Sequence, residues 1–134
     1  MKPTLIDTDI LSLFFRGDKK VIQSFHNYLK KHDSVNISII TYYEILSGLK
    51  YRDLKKLLMP FLEFVEHCNI IPLTPNSVEI SADIYSDLRK KGLLIDDIDI
   101  LIAGISISND MILITHNIKH FSRIENLVVQ DWAS

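Results

Sequence analysis

Four short apolar runs with β-branched character punctuate the chain: Thr4-Leu5-Ile6, which stops at Asp7, then Val35-Asn36-Ile37-Ser38-Ile39, Ile70-Ile71 and Met111-Ile112-Leu113-Ile114-Thr115. Runs of this length and composition read mostly as buried strands. Between them apolar positions recur at helical spacing, as at Phe25, Tyr28 and Leu29, and again at Leu54, Leu57, Leu58, Phe61, Leu62 and Val65. The best-marked helix runs from Thr74 to about Lys91: Thr74 caps it, Pro75 takes the first turn, Val78, Ala82, Tyr85 and Leu88 line one face, and Gly92 ends it. Arg89, Lys90 and Lys91 lie where the helix dipole favours cations. The segment Ile98 to Ile107 is apolar around almost its whole circumference, which predicts a helix buried in the middle of the fold. A last strand, Leu127-Val128-Val129, is expected at the sheet edge, with Trp132 packing the C-terminal tail. Strands alternating with helices predict an α/β fold with a parallel sheet covered on both faces.

Composition narrows the class. A chain of 134 residues with 47% hydrophobic side chains fits one domain, residues 1–134, able to bury its own core. No repeat, low-complexity tract or linker divides it. Against 17 Asp and Glu stand 15 Lys and Arg, so the cationic excess that gives duplex-binding proteins their salt-dependent grip on phosphates is missing. Any nucleic-acid contact must be local, metal-assisted or helped by a partner. The one cysteine, Cys68, excludes an internal disulfide and fits no metal-binding spacing. The N-terminal apolar run is too short for a signal-peptide core and no stretch approaches a membrane span. A soluble protein of the reducing cytoplasm, with no membrane partner, is the expectation.

In an open parallel sheet, ligands bind beyond the carboxyl ends of the strands, so acids that follow an apolar run carry the chemical interest. Asp7 is the first of these. It could instead cap the helix that opens before Ile10-Leu11, and Asp9 is assigned to that cap or to supporting a ligand. Glu44 stands three residues after Thr41, which is capping-box spacing; if the helix starts nearer Ser38, Glu44 moves into the second turn and its carboxylate can point over the sheet end toward Asp7. Gly48, one turn further on, would let another backbone approach. Asp96, Asp97 and Asp99 crowd the start of the buried helix, where one cap explains only one of them; a divalent cation would relieve their mutual repulsion. Asp99 opens Ile100-Leu101-Ile102-Ala103 and is fixed against the core, whereas Asp96 and Asp97 can swing into water. Asn117, beyond the run that ends at Thr115, either orients a water or metal ligand or is a turn residue tolerant of left-handed geometry. His116 and His120 fall in strand and then loop, which argues against a zinc site.

Together Asp7, Glu44 and Asp99 offer hard oxygen ligands, a set that suits Mg²⁺ or Mn²⁺ and disfavours zinc or copper. Such an ion binds phosphate oxygens, positions a hydroxide and stabilises a leaving oxygen. Phosphodiester hydrolysis needs those services and no nucleophilic side chain.

The blocks Leu5-Ile6-Asp7-Thr8-Asp9-Ile10-Leu11, Thr41-Tyr42-Tyr43-Glu44-Ile45-Leu46-Ser47-Gly48, Asp99-Ile100-Leu101-Ile102-Ala103-Gly104 and Leu113-Ile114-Thr115-His116-Asn117-Ile118-Lys119-His120-Phe121 resemble, in order, the four motif blocks of PIN domains. The closing Val128-Val129-Gln130-Asp131-Trp132 resembles the ending of VapC toxins of VapBC toxin-antitoxin pairs. The resemblance implies a three-layer α/β/α sandwich with a mainly parallel sheet, and a Mg²⁺ or Mn²⁺ site made by Asp7, Glu44 and Asp99. It also implies cleavage of single-stranded or structured RNA to 5′-phosphate and 3′-hydroxyl ends, a cognate antitoxin that neutralises the activity, and a homodimer. Asn117 stands where many relatives carry a fourth acid and is taken as a catalytic residue, which puts a complete second metal site in doubt. Asp9, Asp96, Asp97 and Thr115 are expected to support the ligands rather than to bind the ion. Basic residues at helix ends, Lys50, Arg52, Lys55, Lys56 and Lys119, would steer RNA toward the acids or simply form a solvated surface.

Other classes compete. A receiver-type signalling module has similar length and early acids but needs a phosphoacceptor at the end of a middle strand, and Asp53 lies in what reads as a turn into a helix. A haloacid-dehalogenase phosphatase would use Asp7 and Asp9, yet Ile10-Leu11 replaces the Gly-Thr that follows such a pair. A catalytically silent PIN-like module that only binds protein or RNA is the remaining alternative, which metal-dependent cleavage would separate from an enzyme.

Overall fold

A computed structural model describes residues 2–134. In chain order the elements are β1 (Thr4–Ile6), α1 (Thr8–Phe15), α2 (Lys19–Leu29), β2 (Asn36–Ser38), α3 (Ile39–Tyr51), α4 (Lys55–Glu66), β3 (Asn69–Ile71), α5 (Pro75–Lys90), α6 (Asp97–Ser108), β4 (Ile112–Ile114), α7 (Ile118–Phe121) and β5 (Val129–Gln130). The strands form one sheet in the order β3-β2-β1-β4-β5, every neighbouring pair parallel.

Parallel partners in register point to the same face, and this alternation builds the layers. Leu5 pairs with Leu113, and both belong to a core with Ile84, Leu88, Ile100, Ile105 and Phe121 from α5, α6 and α7. Ile6 pairs with Ile114 and Ile37, and these face the other way onto Ile10, Val21, Phe25, Phe61 and Val65 from α1, α2 and α4. The result is the expected helix-sheet-helix sandwich. The strands are only two or three residues long, so the helical layers supply most of the apolar area. Trp132 closes the second core by packing edge-on against Phe25, as its position near the C-terminus predicts.

Several expectations need correction. α5 has the predicted ends, with a Thr74–Ser77 capping box, Pro75 in the first turn and Gly92 at φ +69 just beyond it. Its buried face is not Val78, Ala82 and Tyr85, however, but Ser77, Ser81, Ile84 and Leu88. The cause is close approach to α6: a Cβ on Gly104 would meet Ser81 Oγ at 2.0 Å and the Ser77 carbonyl at 2.6 Å. Small residues, with Ser81 Oγ donating to the Ile100 carbonyl at 3.0 Å, let the helices touch where an apolar stripe would have held them apart. Val78 is left exposed. In α2, Val21, Phe25 and Tyr28 are buried while Leu29 faces outward; in α4 only Phe61 and Val65 are buried. The Ile70-Ile71 strand is a half-exposed edge rather than a buried strand. The C-terminal strand is the opposite edge, shifted along to Val129–Gln130, with Val128 exposed.

Candidate active site

The helices that lead out of β1 cover one face of the sheet, and those that lead into β4 cover the other. The chain therefore splits at the carboxyl ends of β1 and β4, the place where open α/β sheets form a crevice. Each candidate acid arrives there from a different element.

Asp7 ends β1 and caps α1. Its backbone N–H donates to the Ile114 carbonyl at 2.8 Å, its Oδ1 accepts from the Thr8 N–H at 2.8 Å, and its Oδ2 accepts from Thr115 Oγ1 at 2.8 Å. The cap reading and the site reading of Asp7 thus hold together, with one oxygen serving each element. Thr115 is fully buried and also accepts from the Asn117 N–H at 3.1 Å, so the end of β4 is locked to Asp7. Asp9 is not the cap. From the first turn of α1 it accepts from the Ile10 N–H at 2.7 Å and from the His116 N–H at 3.1 Å, which ties α1 to the residue after β4.

Of the two helix starts open for Glu44, the structure has the earlier one. Ser38 is the cap, its Oγ accepting from the Thr41 N–H at 3.0 Å, which sets Glu44 in the second turn of α3. Glu44 Oε1 there accepts from Thr8 Oγ1 at 2.6 Å, and Thr8 Oγ1 lies 3.0 Å from Thr41 Oγ1. Gly48 does not receive a backbone; the space over it is open. It lines a cleft of about 250 Å³ with Thr8, Ser12, Glu44 and Arg52. α6 begins at Asp97 rather than near Ile100, with Asp96 as its cap accepting from the Ile98 N–H at 3.2 Å. Asp99 lies in the first turn, half-buried, while Asp97 faces a different groove, beside Val78, Ala82 and Tyr85.

Charge puts Asp7, Asp9 and Asp99 within reach of one another and Glu44 within reach of Asp99. Burial and the nearby Asp9 push the Asp7 carboxyl up to about 7, against hydrogen bonds from Thr115 and Thr8, and Asp99 adds to the push. Burial, then Asp96 and Glu44, raise Asp99 to about 6, with His120 opposing. Burial also raises Asp9. Among the described residues, no three His, Cys, Asp or Glu side chains stand close enough together to grip an ion as they are. Asp7 and Glu44 are each held by their own local donors, Asp7 by the Thr8 N–H and Thr115 Oγ1, Glu44 by Thr8 Oγ1. The donor set fits a hard divalent cation: every candidate ligand is a carboxylate oxygen, and two carboxyls are held high by their burial and neighbours.

Asn117 is not the left-handed turn residue that was one of its two expected forms. Its φ is −88°, so left-handed geometry is not what it provides, and its side chain meets His120, Nδ2 to Nδ1 at 3.0 Å. His116 and His120 are separately engaged: His116 Nδ1 lies 2.8 Å from Asp131 Oδ2. Asp131 also accepts from the Ala133 N–H and Ser134 Oγ; burial raises its carboxyl, but these contacts outweigh it and the group ends low, while Asp131 holds His116 high. Sequence reasoning missed Thr8 and the His116–Asp131 pair. No local signal marks them, because Thr8 matters only where α3 meets α1, and Asp131 only where the tail returns to β4. Arg52 reaches the Glu44 cleft; Lys50, Lys55, Lys56 and Lys119 are exposed. Asp53 lies in the turn between α3 and α4 at φ +53, not at a strand end, which removes the receiver reading.

A fold and site of this kind define a class, and the chain belongs to the PIN-domain family, whose profile matches residues 4–127. Within that family it is similar to Ribonuclease VapC2 of Rickettsia felis, 31% identical over 113 residues that cover 81% of this chain and 84% of the relative. Its fold matches the crystal structure of VapBC2 from Rickettsia felis bound to a DNA fragment from their promoter, with a TM-score of 0.86 at 27% identity over 96% of this chain and 98% of that one. VapBC-1 from nontypeable Haemophilus influenzae superposes with a TM-score of 0.82 at 27% identity, covering 98% of each chain. Among the described residues no helix is long and apolar enough to cross a membrane.

Proposed function

We propose that the protein is an endoribonuclease dependent on Mg²⁺ or Mn²⁺, hydrolysing RNA phosphodiester bonds and held in check by a cognate antitoxin. The observation that carries this reading is the buried Asp7 at the carboxyl end of β1, with Asp9 and Asp99 within electrostatic reach of it and Glu44 within reach of Asp99, burial raising both Asp7 and Asp99. Relatives named ribonucleases and VapBC complexes of the same fold support it. Asp7 and Asp99 would hold the ion, with Glu44 binding directly or through water. When bound, the ion supplies the positive charge that draws a phosphodiester to an acidic crevice and lowers the cost of ionising water. The chain's own part is placement. Thr115 fixes the rotamer of Asp7, Thr8 fixes that of Glu44, and Asp9 keeps the end of β4 against α1.

The antitoxin would seat in the apolar groove between α1, α3 and α4, lined by Phe15, Leu49, Leu54, Leu57 and Phe61, which runs into the Glu44 cleft through Ser12, Ile45 and Arg52. A homodimer and a cytoplasmic setting belong to the same reading; exposed Val78 and partly buried Tyr85 on α5 offer apolar surface for a second copy. The test is incubation of purified protein with a pool of cellular RNA, in Mg²⁺ or in chelator, beside Asp7→Asn. Cleavage is expected only from the unaltered protein with Mg²⁺; equal cleavage in all three, or none in any, counts against the reading.

A further inference from the structure

Two histidines follow β4, and each is fixed through one ring nitrogen. For His120 the partner decides the chemistry. The Asn117 side-chain nitrogen 3.0 Å from His120 Nδ1 belongs to an amide NH₂, which can only donate. His120 Nδ1 must accept, so the ring carries its single proton on Nε2. Asn117 is itself anchored, since its backbone N–H donates to Thr115 Oγ1 at 3.1 Å and that hydroxyl donates to Asp7 Oδ2 at 2.8 Å. A continuous set of contacts therefore links the principal acid of the crevice to the tautomer of His120. The ring is half-buried and lies near Asp99. The pair does not serve α7: Asn117 is the residue before that four-residue helix, yet its side chain bonds none of the helix N–H groups.

We propose that His120 is a phosphate-contacting residue of the RNA site, held by Asn117 as the Nε2–H tautomer so that its ring donates to an oxygen of the bound phosphodiester. The proposal rests on the nuclease reading above and adds to it a residue and a role for Asn117. An acidic crevice repels its substrate, and a lysine placed beside Asp99 would pair with that carboxylate and compete with the ion. A neutral N–H attracts the phosphate without doing so.

The experiment measures cleavage of an end-labelled RNA oligonucleotide in Mg²⁺ by the full chain and by His120→Ala, His120→Gln, Asn117→Ala, the Asn117→Ala/His120→Ala double variant and Asp7→Asn. Thermal melting checks folding, and Mn²⁺ binding without RNA is followed by electron paramagnetic resonance. Loss of one hydrogen bond to a charged oxygen predicts a fall in kcat/KM of about 10- to 100-fold for His120→Ala. His120→Gln, whose amide nitrogen can stand where Nε2 stood, recovers most of it. Asn117→Ala is expected to lose activity as well, and the double variant to be no worse than His120→Ala alone. Mn²⁺ binding stays unchanged in the His120 variants. Full activity in His120→Ala, a Gln variant no better than Ala, additive losses in the double variant, or weakened Mn²⁺ binding in the His120 variants would each overturn the proposal. If Asp7→Asn cleaves normally, the nuclease reading itself fails; if Asp7→Asn is dead while His120→Ala is fully active, only the present inference does.

Discussion

Asp7→Asn should do two opposite things, abolishing cleavage and stabilising the protein when no divalent cation is present. The Asp7 carboxyl is 6% exposed and its pKa is raised from 3.8 to about 7. A raised carboxyl pKa means that the folded chain holds the proton more tightly than the unfolded one. Below about pH 4 both states are protonated and Asp7 costs nothing. From there to about pH 7 the unfolded chain releases its proton while the folded chain keeps it, so stability falls as pH rises, and above pH 7 the loss is complete. A shift of roughly three units at 1.36 kcal/mol each gives a cost on the order of 4 kcal/mol. Asn keeps the size of the side chain and an acceptor for the Thr8 N–H but carries no charge to bury. In chelator, urea unfolding at pH 5 and pH 8 should show the unaltered protein losing stability with pH and the Asn variant losing much less. Asp9 and Asp99, both also raised, leave a residual slope in the variant. Saturating Mg²⁺ at pH 8 should restore the unaltered protein by about 2.7 kcal/mol at a hundred times its dissociation constant and leave the variant unmoved. Equal pH slopes for the two proteins would refute the claim that burial holds the Asp7 carboxyl high.

Gly104→Ala places a methyl 2.6 Å from the Ser77 backbone carbonyl, which no rotamer change can relieve, so thermal melting should show a loss of about 1–3 kcal/mol or more; a variant as stable as the parent would mean α5 and α6 are not in close contact. Ser38→Ala removes the cap of α3 and should cost about 1 kcal/mol by urea titration, with RNA cleavage falling too because Glu44 depends on that helix start. Burial pushes the Cys68 thiol up to about 12, so iodoacetamide at pH 8 should label the native protein far more slowly than the unfolded one; equal rates would place the thiol in water.

How far the sequence could be read depended on what kind of signal each feature leaves. The strands after which Asp7 and Asn117 stand, the ends of α5 and the all-apolar α6 were visible because period, caps and composition are local. The buried face of α5 was not, since Ser77 and Ser81 look like solvent residues until Gly104 on another helix is known to lie against them. Glu44 was undecided for a related reason: Ser38 and Thr41 are both good caps, and burial of Ile40 and Thr41 selects the earlier start. Asp99 was separable from Asp97 by the apolar run Ile100-Leu101-Ile102-Ala103 that it opens, and two residues along the helix do turn Asp97 onto a different face. The acids stood out as carboxylates after strands and at a buried helix start, positions that helix caps also favour, as Asp7 and Asp96 show. Their supports, Thr8 and Thr115, became visible only in three dimensions.

Asp7 and the Thr115 hydroxyl that orients it are 108 residues apart, and the main-chain bond to Ile114 spans almost the same interval. During translation the first strand can pair with β2 early, but lacks its β4 neighbour until the chain has been made through Ile114. On the nuclease reading, a growing chain therefore cannot attack the message that encodes it or the machinery making it.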